Sequence, residues 1–265
     1  MGEEPSHARP GVRNLITDVP GLKVGQAQDT RVRTGVTVLP DERAVCADDV
    51  RGGAPGTRET DALAPENLVE AVDAAVLSGG SVYGLAAADG VAAWLGARGR
   101  GYGLSSDPAV PVSPAVPVSP VVPVSLVVPC AMLFDLANGG DKAWGENPPY
   151  RALGMAAVAS TAETVELGTA GAGYGAMAGA LKGGIGSASI VTGDGMTLGA
   201  IVAVNSFGAV SAPGGRTFRA APHEIGGEFG GLGSAGLSAR PDDGGLSKAS
   251  GALRNTTIAC CGPPV

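Results

Sequence analysis

Residues 168–189 read GTAGAGYGAMAGALKGGIGSAS, and the fold turns on how this stretch is understood. Eight of its residues are glycine, and before Leu181 only Tyr174 and Met177 are bulky. Backbone must therefore come close to something here, either another backbone or a ligand. A single cation, Lys182, interrupts the small residues, where its ammonium has room to reach a reacting centre. Downstream, Asn205 follows the apolar run 200–204 and should stand at a strand end. Each residue also has an ordinary reading. A lysine after a short helix complements the helix dipole, and a strand-end asparagine makes a turn.

Working outward, TVEL at 164–167 reads as a strand leading into the glycines. Residues 187–191 and 196–204 read as two strands joined by Gly193-Asp194-Gly195, a hairpin signal. Helices are expected over 65–77, where Leu68, Val69, Val72, Ala75 and Val76 recur at helical spacing, and over 83–97 and 150–162. Toward the N-terminus, NLITDVPGLKVGQAQD carries two short strands split by Pro20-Gly21, and RTGVTVLP a third. Residues 1–13 read as a mobile tail, with order beginning at Asn14. The segment 108–125 repeats PAVPVS, PAVPVS, PVVPVS; proline at every third position suits polyproline II and forbids helix, so an extended or disordered surface loop is expected. Residues 214–245 read as a long loop, and Ile258-Ala259 as a final strand that stops almost at once.

Composition narrows the possible functions. With 16% charged and 4% aromatic residues but 44 glycines and 20 prolines in 265 residues, one compact domain packed through Ala, Val and Leu is expected. A formal charge of −7, with no Lys/Arg cluster, argues against nucleic acid. The four cysteines lack zinc spacing, no cofactor or metal motif is present, and no apolar run is long enough for a bilayer. A cytoplasmic protein with reduced thiols is the simplest expectation. Dinucleotide binding is a competing class: residues 171–176 fit G-x-G-x-x-A, and Asp194 lies where a ribose-binding acid would. The helix such a fold needs is cut short by Gly183-Gly184.

ITDVPGLKVGQAQDT with TGVTVLP, DVRGGAPGTRETD, LSGGSVYGLAAADGV, FDLANGGDKAW, GAGYGA with LKGGIGSAS, AVNSFG and RNTTIA follow one another in the order of a known family. The chain resembles the DmpA-like L-aminopeptidase/D-esterase hydrolases, which include β-peptidyl aminopeptidases and nylon-oligomer hydrolase. The likeness covers most of residues 14–259 apart from the proline repeat.

That resemblance implies an α/β (α+β) fold, a four-layer α/β/β/α sandwich, forming a single domain and a homo-oligomer without cofactor or metal. It implies a precursor cut between Asn255 and Thr256, whose new α-amine takes the proton of the Thr256 hydroxyl and so removes the need for a histidine. Asn205 matches the asparagine that stabilises the oxyanion, and Lys182 a lysine near the nucleophile. Substrates would be peptides or short amino-acid oligomers with a free amino end. Phe134 stands where some members have a tyrosine that donates to the oxyanion. After Ala259 the text leaves the family pattern and ends in CCGPPV, so residues 256–265 read as the truncated start of the nucleophile segment, a stub that cleavage would release. Little turnover of an aminoacyl p-nitroanilide is expected until the family's C-terminal segment is restored. A non-catalytic remnant that keeps the fold and oligomer contacts is the alternative.

Overall fold

The computed structural model describes residues 8–53, 55–102, 124–212, 216–234 and 255–263. In chain order the strands are β1 (Arg9–Pro10), β2 (Gly25–Asp29), β3 (Thr34–Ala44), β4 (Thr57–Arg58), β5 (Val72–Ser78), β6 (Cys130–Met132), β7 (Met177–Ala178), β8 (Leu181–Lys182), β9 (Gly184–Val191), β10 (Thr197–Asn205) and β11 (Thr256–Gly262). The helices are α1 (Ala87–Gly96) and α2 (Tyr150–Ala159). One sheet has the order β2-β3-β5-β6-β4, a second β1-β9-β10-β11, and β7-β8 form a small hairpin.

The five-stranded sheet is buried on both faces. Val36, Val38, Ala74 and Val76 point toward α1 and α2, while Leu39 and Leu77 point the other way, toward Ile185, Ile201 and Ile258 of the second sheet. This burial explains the principal misreading. The segment 65–77 is not a helix: Leu68 is 98% exposed, and from Val72 the chain is a central strand. A strand covered on both faces needs an unbroken apolar run, which loses the period of two and mimics one face of a helix. Strand β5 runs parallel to β6 and antiparallel to β3, with α1 in the crossover between the parallel pair.

The two helices are alanine-rich because they meet almost backbone to backbone: a Cβ on Gly154 would lie 2.1 Å from the Ala87 carbonyl oxygen. The second helix stops at Ala159, where the Ser160 hydroxyl donates to the Ala157 carbonyl. The expected strand at 164–167 is irregular chain, held at Ala162 by a bridge to Val24 and at Gly168 by a bridge to Ile185. Of the two short strands expected in 14–29, the first is a 3-10 turn, Ile16–Asp18. Order reaches back past Asn14, since Arg9 and Pro10 pair with Val191 and Ile190.

Within the glycine-rich stretch, Gly171–Gly173 make one 3-10 turn, followed by the β7–β8 hairpin and β9. A Cβ on Gly173 would stand 2.4 Å from the Gly184 carbonyl carbon, so backbone packs on backbone. No Rossmann helix follows the glycines, and Asp194 accepts the Thr192 hydroxyl in an exposed hairpin turn. The dinucleotide reading is thereby overturned. The hairpin reading of 187–204 holds: β9 and β10 pair antiparallel from Thr197 opposite Val191 to Val204 opposite Gly184.

The last strand does not stop at Ala259. It runs seven residues to Gly262, with Ile258 buried, the Cys260 thiol turned into the core and Cys261 exposed on the opposite face. The outward face of the second sheet, with Ile190, Leu198 and Ala200, has no helix over it among the described residues, so three layers of the expected four are seen there. The proline repeat lies outside the described residues up to 123; beside it, Tyr102 and Ser125 form an antiparallel bridge. Of the loop expected over 214–245, residues 216–234 are described and hold one 3-10 turn, Ala221–His223.

Candidate active site

Along β10 the odd-numbered residues face the core, first Ile201, then Ala203, and last Asn205, which is 0% exposed. A buried amide must be hydrogen-bonded. Its Oδ1 accepts the Met177 N–H at 3.1 Å, and its Nδ2 donates to the Phe134 carbonyl at 3.2 Å. The two bonds fix the amide plane and tie the end of β10 to the glycine-rich stretch and to the segment after β6.

Strand β11 pairs with β10 so that Thr256 stands directly opposite Asn205. Opposed residues of an antiparallel pair point to one face, with Cβ atoms roughly 4.5–5.5 Å apart. Thr256 is half-buried, and Asn255 immediately before it is exposed. Lys182 belongs to β8, opposite Met177, the residue whose N–H holds Asn205. Asn205 and Thr256 are thus brought together from distant positions. Lys182 sits one strand pairing away, exposed, and lines a cavity of about 400 Å³ shared with Met177, Arg33, Asn138, Tyr174 and Thr30. A slightly larger hollow, about 450 Å³, lies on the outward face of β9 and β10 among Ile190, Leu198 and Cys261. It adjoins none of the three residues.

Behind Asn205 lies a buried carboxylate that the sequence did not single out. Asp135 follows Phe134 and is fully buried; its Oδ2 accepts the Thr34 hydroxyl at 2.6 Å and its Oδ1 the Gly80 N–H at 2.8 Å. The Asn138 amide donates to the Gly175 carbonyl at 2.6 Å, and a Cβ on Gly175 would fall 2.3 Å from the Arg33 carbonyl oxygen. Residues 134–142 therefore clamp the glycine-rich stretch against the start of β3. The available signal was the density of polar residues in FDLANGGDK, which a one-dimensional reading takes for a turn.

Burial pushes the Asp135 carboxyl up, against the opposing effects of Thr34, Lys142 and Gly80. An acid with a raised folded-state pKa holds its proton more tightly in the native chain, so stability falls as pH climbs from the ordinary aspartate value of 3.8 through the folded value. Asp135→Asn, which keeps an acceptor for Gly80, is expected to gain on the wild type over that window and hold its advantage at neutral pH. Thermal melts of both proteins from pH 4 to 8 check this, and a gap in melting temperature that does not widen with pH would contradict it.

Among the described residues no group of three or more His, Cys, Asp or Glu could hold a metal, and no helix is long and apolar enough to cross a membrane.

The profile described as Peptidase family S58 matches residues 14–251. Uncharacterized aminopeptidases of Mycobacterium bovis and Mycobacterium tuberculosis are 45% identical over 211 residues, 76% of this chain and 55% of theirs. The chain spans about half the length of these curated relatives. Among solved structures, a Burkholderia sp. β-aminopeptidase superposes with a TM-score of 0.54 at 24% identity, covering 79% of this chain and 57% of its own. An L-aminopeptidase D-Ala-esterase/amidase from Ochrobactrum anthropi, described as a variant of the Ntn hydrolase fold, gives 0.54 at 22% identity, covering 77% and 56%. These likenesses show a mixed α/β fold of that kind.

Proposed function

Because the chain belongs to peptidase family S58, we propose that it is a self-processing aminopeptidase or amidase that hydrolyses the N-terminal amide bond of peptides or short amino-acid oligomers, with Thr256 as nucleophile. The observation that carries this reading is the register that sets Thr256 opposite Asn205 at the mouth of the two sheets. Cleavage of the Asn255–Thr256 bond frees an α-amine with a pKa of about 7.7–8.0. That amine takes the hydroxyl proton as the oxygen attacks the substrate carbonyl, and later returns a proton to the leaving amine. Asn205 donates an N–H to the oxyanion, and Lys182 adds positive charge near the nucleophile. A cytoplasmic homo-oligomer without cofactor completes the reading.

The test is denaturing mass analysis of the purified chain. Two masses, for residues 1–255 and 256–265, are expected, and a whole-chain mass alone counts against self-processing. Cleavage would not free a stub in native solution, because β11 stays paired to β10 along seven residues and Ile258 is buried. A second reading, a non-catalytic subunit that keeps the fold, is favoured by one observation, the apolar outward face of the second sheet, over which no helix lies among the described residues.

A further inference from the structure

In a chain with a formal charge of −7, the cavity beside Asn205 has Arg33 and Lys182 in its wall and, among the described residues, no acidic one. The nearby carboxylates are engaged elsewhere. Asp29 caps the turn before β3 by accepting the N–H groups of Arg31 and Val32, each at 2.9 Å. Asp141 pairs with Arg31 at 2.6 Å, and Asp135 is occupied by Thr34 and Gly80. Neither Arg33 nor Lys182 has an ion-pair partner among the described residues.

Arg33 is also held in an unusual way. Its φ of 56° is left-handed, a conformation that L-residues other than Asn and Asp seldom adopt. The Asp29 cap on one side and the close approach of Gly175 to the Arg33 carbonyl on the other hold the backbone there. Lys142, whose ammonium donates to the Val32 carbonyl, adds a third positive charge behind the same turn. A cavity of about 400 Å³ is within the range that encloses small ligands.

We propose that this cavity is a carboxylate-reading subsite, in which Arg33 and Lys182 hold the free C-terminal carboxylate of a dipeptide or amino-acid dimer. The proposal rests on the amidase reading and narrows it: the substrate is a short oligomer with a free carboxylate, in preference to its amide. The carboxylate gains charge-assisted hydrogen bonds from an arginine fork and an ammonium, and the uncharged amide does not. Tyr174 and Met177 supply apolar wall for the intervening chain.

The test measures binding by calorimetry, with the Thr256→Ala full chain in every arm so that no ligand is consumed. The ligands are Ala-Ala, Ala-Ala amide and sodium acetate. Ala-Ala is expected to bind on the order of tenfold more tightly than its amide, and acetate only weakly. Arg33→Gln, at an exposed side chain, should erase that preference by weakening Ala-Ala far more than its amide, and Arg33→Lys should restore part of it. Equal binding of peptide and amide, an equal loss of both in Arg33→Gln, or no binding of either would overturn the proposal. Acetate binding as tightly as Ala-Ala would make the site a general anion site and overturn it too. A wild-type chain that stays uncut at Asn255 by mass, while Thr256→Ala still prefers the carboxylate, would sink self-processing alone, whereas a wild-type chain that is cut, with no such preference in Thr256→Ala, would sink the subsite alone.

Discussion

Thr256→Ala is expected to give a chain that shows one mass under denaturing conditions and hydrolyses no aminoacyl p-nitroanilide, while Thr256→Ser still divides into two pieces. Removing the nucleophile of a hydrolase costs on the order of 10⁶-fold in kcat in a well-studied case. The same oxygen here would both cut the chain and attack the substrate, so both readouts should vanish together. Thr256 is half-buried at the start of an edge strand, where loss of a hydroxyl and a methyl leaves the fold intact. Turnover is best compared after the C-terminal portion of the Mycobacterium tuberculosis relative has been joined after Ala259. A wild-type chain that is uncut and as inactive as the alanine variant even with that portion added would leave the structural-subunit reading standing.

The next largest effect is expected at Asn205. Loss of one oxyanion donor costs about 10²- to 10³-fold in kcat, and Asn205→Ala should show this with little change in KM. Stability falls as well, since the bonds from the buried Asn205 amide to the Met177 N–H and the Phe134 carbonyl are lost. Leaving a buried group unpaired costs about 1–3 kcal/mol. Asn205→Asp separates the two effects: its carboxylate can still accept from Met177 but has nothing to donate to Phe134 or to an oxyanion. Equal kcat in the wild type and both variants, measured on folded protein, would remove Asn205 from the chemistry.

What the sequence revealed and what it hid follow from range. The hairpin of β9 and β10 was legible because its turn, Gly193-Asp194-Gly195, lies between its strands. Helices α1 and α2 were legible because alanine-rich segments flanked by glycine and proline have few other solutions. Strand β5 was not, because its periodicity is erased by burial on both faces. The pairing of Asn205 with Thr256 joins residues separated by a long connection, and no local pattern records it; only the family likeness brought them together. Asp135 and Arg33 stayed hidden for another reason. Their importance lies in partners on β3, at the end of β5 and in the glycine-rich stretch, and composition does not encode partners.

The adjacent cysteines of β11 make its alignment chemically visible. Cys260 faces the core, and burial pushes its thiol up to about 12, whereas Cys261 stands on the outward face in reach of solvent. Successive residues of a strand face opposite sides, so a slip of one position would turn Cys260 outward, Cys261 inward, and Thr256 away from Asn205. The identity of the alkylatable sulfur is therefore a gauge of whether the nucleophile is seated.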